Sequence, residues 1–190
     1  MNEKINPRIG LLSLIILVVA ASRLLPHPHN VTPVGALGLF GAAYFSRKYL
    51  AFLVPLAAMW ASDLLLNNLV YARLYPDMYE GFAWFGNPWV YLSFGLIVLL
   101  GFGLLRKIRL STLLGASLGA SVLFFLITNF GVWLSTPLYP KTSAGLISCY
   151  AMGIPFFWNT MLGDLFFTGV LFTTFEWAQM KFPVLRLQKA

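Results

Sequence analysis

Six apolar segments, at about 9–25, 34–45, 49–66, 89–105, 112–134 and 155–178, leave this chain few folds to choose from. A helix rises about 1.5 Å per residue, so roughly 20 residues cross a hydrocarbon core of about 30 Å. Five segments come close to that length, and the second is short. Charged residues are 10% of the chain and mean hydropathy is +0.78, against about 25% charged residues in a soluble domain. So much apolar surface has to face a lipid bilayer. The expected fold is all-α: one domain, an integral membrane bundle of six transmembrane helices.

The placement of the positive charges orients it. With six crossings and both termini cytoplasmic, Lys4, Arg8, Arg47, Lys48, Arg106, Lys107, Arg109, Lys181, Arg186 and Lys189 lie inside, ten of the thirteen basic residues. Arg23, Arg73 and Lys141 lie outside. Were the second segment re-entrant, the bias would reverse against the positive-inside rule. The expected location is the inner (cytoplasmic) membrane, multi-pass. The net charge of +7 is then topological, and no nucleic acid partner is expected. Lys4, Arg8 and Val19-Ala20-Ala21 also fit a cleavable signal peptide, an alternative for the first segment.

The first connection, Arg23-Leu-Leu-Pro-His-Pro-His-Asn-Val-Thr-Pro-Val-Gly35, is irregular because three prolines remove backbone donors. Thr32-Pro33 is the expected N-cap and first-turn proline of the short second helix. Trp60, Asp63 and Asn67 share one face of the third segment. Asn129 and Trp133 lie near the outer end of the fifth, and Trp158, Asn159, Thr160 and Asp164 in the outer half of the sixth. Intramembrane carboxylates are costly and face a cavity or a partner. Arg23 is the basic residue near enough in depth, so it should pair with Asp63 or Asp164. His27 and His29 could hold a metal, but a third ligand is missing, so no metal site is assigned. Cys149 is expected in the last outer connection, near the same mouth. Gly115-Ala-Ser-Leu-Gly119 fits a hydrolase pattern, but within a spanning helix its small residues serve close packing.

Five of the six tryptophans lie toward the outer face, which suggests an aromatic-lined pocket or lid there, with a one-sided interfacial belt as the alternative. The expected function is a substrate-binding or uptake protein for a small nutrient such as a vitamin, with its site open outward and without enzymatic activity or cofactor. The expected substrate-binding residues are Arg23, His27, His29, Asn30, Asp63, Asn67, Asn129, Trp133, Trp158, Asn159 and Asp164. No phosphate-binding loop motif is present, so ATP could act only through an ATPase-driven coupling module. A structural or assembly subunit of a membrane complex is the alternative, and an intramembrane enzyme a more distant one.

Three strings, the run Arg23 to Gly41, Asn129-Phe-Gly-Val-Trp133 and Asn159-Thr-Met-Leu-Gly-Asp164, resemble an uncharacterised family of bacterial six-span proteins. In size, span number and outward site, the chain is also similar to the S component, the substrate-binding subunit, of energy-coupling-factor vitamin transporters. That resemblance implies a ligand under the loops after the first, third and fifth helices. The chain departs from the cobalamin-type members, because Phe85-Gly-Asn-Pro-Trp-Val-Tyr91 lacks their cobalt-contacting cysteine. Ala20 and Ala21 are adjacent, so the alanine pair that docks the first helix on the coupling scaffold is missing as well.

Overall fold

A computed structural model describes residues 6–28, 30–78 and 81–186. Among these residues the chain is helical and has no strand. The six main helices are α1 (Pro7–Ala21), α2 (Val34–Tyr44), α3 (Lys48–Leu65), α4 (Pro88–Leu104), α5 (Leu110–Ser135) and α6 (Ser143–Lys181). A π-turn at Leu66–Tyr71 and a last turn at Ala72–Leu74 carry α3 onward. The stretches Pro7–Leu24, Lys48–Leu74 and Leu110–Ser135 are long and apolar enough to cross a membrane, while α2 and α4 are shorter apolar helices.

The helices run up and down. One end of the bundle, here the terminal end, gathers the start of α1, the end of α2, the start of α3 and the end of α6. Arg8 ties three of these together: it donates to Gln179 Oε1 (2.8 Å), to Tyr44 O (3.0 Å) and to Leu185 O. Tyr44 donates to Glu176 at 2.5 Å. Arg47, Lys48, Arg106, Lys107, Arg109, Lys181 and Arg186 belong to the same end. The opposite, loop end carries the 22–33 connection, the 75–87 connection and the turn between α5 and α6.

The shortest helix is the hub. α2 packs against α1, α3, α4, α5 and α6, and Ala36, Leu37, Leu39 and Phe40 are wholly buried. Leu12 and Ile16 of α1, Phe94 and Ile97 of α4, and Leu171 and Phe175 of α6 close around it. The exterior is apolar in turn: Leu14, Leu53, Leu99, Leu162 and Phe166 are all more than half exposed. A water-soluble surface of that kind would be an aggregation liability, and a lipid-facing one would not.

Three expectations need correction. α6 starts at Ser143, not near Pro155, and at about 58 Å it is the longest helix. Thr142 caps it by accepting from the Gly145 amide at 3.2 Å. Its early turns are held by Gly145, Cys149 and Gly153, a buried small-residue stripe at four-residue spacing. Pro155 is tolerated inside, as Pro55 is inside α3. Cys149 is accordingly a buried helix residue, donating to Asn129 O at 3.3 Å, not part of a connection. Finally, no side chain of the 32–33 pair caps α2: Pro33 occupies the cap position without a side-chain bond.

Candidate functional site

The cap of α2 comes from α6. The Asp164 carboxyl, 1% exposed, faces the Gly35 and Ala36 amides at the start of α2 and accepts from Ser121 Oγ of α5 at 2.7 Å. The first amides of a helix have no intrahelical partner and carry partial positive charge. A carboxyl group supplied from another helix sets its negative end against them where water cannot reach, although its Oδ1 makes no hydrogen bond of normal geometry. The approach needs glycine, since a Cβ at position 35 would overlap the carboxyl group.

Arg23 therefore pairs with Asp63. Its Nη2 lies 2.7 Å from Asp63 Oδ1, and its Nη1 donates to Ser62 Oγ at 2.6 Å. Tyr91 of α4 donates to Asp63 Oδ2 at 2.6 Å. The backbone at Gly86 passes so close that a Cβ there would meet this carboxylate. One ion pair thus joins the turn after α1, α3, and the entry to α4. Beside it, Asn67 is buried in the π-turn. Asn68, which the sequence reading passed over, clamps the 81–87 strand-like segment: Ala83 N donates to its Oδ1 and its Nδ2 donates to Ala83 O, both at 2.9 Å. An asparagine following another in a helix end was the signal available for it.

A third feature at the loop end is a hollow of about 240 Å³ between α4, α5 and α6. Asn30, Asn87, Thr128, Asn129 and Thr160 supply its polar groups, and Phe124, Phe125, Phe156 and Phe157 its aromatic walls. Asn30 sits at φ 64, a left-handed conformation that asparagine tolerates better than most residues. Several donors here are committed to their own helices. Thr128 donates to Phe124 O (2.8 Å), Asn129 Nδ2 to Phe125 O (2.8 Å) and Thr160 to Phe156 O (3.2 Å). Their oxygens remain as acceptors. Among the described residues none of those lining the hollow is charged.

The expected site residues thus divide. Asn30 and Asn129 line this hollow. Arg23 and His27 line two other clefts around the first connection, of about 280 and 380 Å³, one of them shared with Asn30, and His27 Nδ1 lies 3.0 Å from Pro28 O. Asp63, Asn67 and Asp164 are buried in the packing. Trp133 donates to Pro140 O at 2.9 Å, Trp158 is 57% exposed on the outside of α6, and Asn159 is half-buried and engaged by its surroundings. His29 lies outside the described residues. The aromatic walls are phenylalanines, while Trp60, Trp84 and Trp158 face outward. Among the described residues no group of three metal-ligating side chains occurs.

The model of one protein family, a family of unknown function designated DUF6580, matches residues 3–185. No curated protein and no solved structure matches the chain.

Proposed function

We propose, for a chain that belongs to the DUF6580 family of unknown function, a role as a six-span membrane protein that captures a small molecule for uptake. Both termini then lie in the cytoplasm and the loop end faces outward, as the charge bias requires. The apolar exterior supports the embedding. The observation that carries the binding role is the uncharged hollow between α4, α5 and α6, where amides and hydroxyls meet four phenylalanines. Acceptor oxygens beside aromatic walls suit a neutral, ring-bearing molecule with N–H or O–H groups. Arg23 and Asp164 hold the frame of the site and do not touch the ligand. The likeness in organisation to vitamin-binding S components agrees with this reading, and an ATPase-driven coupling module is the partner such a role needs.

The test is native mass spectrometry of protein purified from its own membranes, followed by thermal-shift screening against ring-bearing nutrients. A bound small molecule is expected in the unaltered protein and not in Thr160→Phe, which fills the hollow. The proposal fails if the unaltered protein retains nothing, no compound shifts its melting, and Thr160→Phe supports growth on limiting nutrient as well as the parent. Cysteines introduced at both tails of a Cys149→Ser protein should react from the cytoplasmic side. Labelling of the two tails from opposite sides would overturn the six-span topology.

A further inference from the structure

We propose that the terminal end carries a second, independent site, which takes a phosphate-bearing anion between the start of α1 and the 183–186 segment. A cavity of about 480 Å³ opens there, the largest of those described, with Arg8 and Arg186 among its walls. Asn6 and Ser46 add neutral polar groups, and Ile9 and Leu12 form an apolar side. Arg8 is 6% exposed, yet its Nε is buried without a hydrogen-bond partner. That nitrogen is enclosed by protein, so what Arg8 brings to the cavity wall is the charge of its guanidinium. The amino end of α1 borders the same cavity and adds the partial positive charge of a helix start. At the rim, Arg186 is oriented by donating Nε to Gln179 O at 3.0 Å.

Among the described residues, the acid of this end is Glu176, which accepts from Tyr44, and the other charged groups are basic. Arg8 spends its Nη groups on Gln179, Leu185 and Tyr44 and so contributes charge, while the Nη fork of Arg186 is left to match phosphate oxygens in geometry. The apolar side fits the glycerol and upper acyl part of an acidic lipid, whose headgroup would lie at this level if α1 spans the bilayer. A soluble phosphate shares the same head chemistry, so the experiment separates the two.

The protein is reconstituted in nanodiscs of phosphatidylcholine with and without phosphatidylglycerol, and retained lipid is counted by native mass spectrometry. In parallel, inorganic phosphate is titrated in a thermal-shift assay. Arg186→Gln is the working variant, because Arg8 holds several segments together and its loss would confound folding. Arg106→Gln, on the same end but outside the cavity, is the control. Phosphatidylglycerol should be retained in preference to phosphatidylcholine, about tenfold more weakly in Arg186→Gln, and unchanged in Arg106→Gln. Stabilisation by inorganic phosphate that Arg186→Gln abolishes, without lipid preference, upholds the site and assigns it a soluble phosphate. The proposal is overturned if neither species binds, if Arg186→Gln binds as tightly as the parent, or if both variants lose binding equally, which would mean diffuse surface attraction.

Discussion

Asp63 and Asp164 look alike in the sequence, two carboxylates within apolar segments waiting for one arginine, and the structure gives them different partners. Asp63 has a side-chain counter-ion, Arg23 at 2.7 Å, at the rim of the bundle. Asp164 has no cation beside it among the described residues. Its partners are a hydroxyl and the amide end of α2. The first arrangement closes the loop end by joining elements that could otherwise separate. The second holds a half-length helix inside the core. Each is approached by a glycine, Gly86 in one case and Gly35 in the other, because only a bare backbone comes so near a carboxyl group.

The contrast breaks most sharply at Asp164. Asp164→Ala leaves the Ser121 hydroxyl and the start of α2 without the facing carboxyl and is expected to cost roughly 3–4 kcal/mol, since each stranded polar group costs about 1–3 kcal/mol and the emptied space adds to it. Asp164→Asn keeps an acceptor oxygen and should cost clearly less. Melting temperature in a mild detergent measures both. Equal losses would mean that shape, and not capping, sets the role of Asp164.

Arg23→Ala comes next, at roughly 2–3 kcal/mol, since it strands a nearly buried Asp63. The double variant with Asp63→Ala should be less damaged than the two single losses summed, by about 1–3 kcal/mol of coupling. Pairing Arg23→Ala with Asp164→Ala instead should give additive losses, and coupling there would sink the distinction between the two regions. Tyr91→Phe removes one hydrogen bond to Asp63 and should cost about 1 kcal/mol. The smallest effect on stability belongs to Asn129→Ala, under about 0.5 kcal/mol, because Asn129 lines a hollow. Its effect is expected in ligand retention, and unaltered retention would shift attention to Thr160 and Asn30.

The sequence made the helical content and the six apolar segments readable, because hydropathy reports directly on burial and on lipid. It also marked the second segment as short. Its central position was hidden, since near-continuous apolar character looks the same whether neighbours or lipid surround it. Arg23 and Asp63 were legible as a possible pair because both are charged. The partner of Asp164 was not, because backbone amides leave no residue type to search for. Pro155 misled as a helix start for a similar reason. Proline suits a first turn, and the real cap, Thr142, lies thirteen residues earlier, ahead of a stretch polar enough to pass for a connection. The tryptophans drew attention to the loop end but not to the walls of the hollow, which are made by phenylalanines on α5 and α6.

The enclosure of α2 has a consequence for biogenesis. By the time a ribosome has added residue 140, this eleven-residue segment has left the exit tunnel, but the helix that will cap it has not been made. Maturation therefore waits on the last quarter of the polypeptide. A nascent chain stalled before Asp164 is expected to be cut readily by protease, and one released after Lys181 to resist.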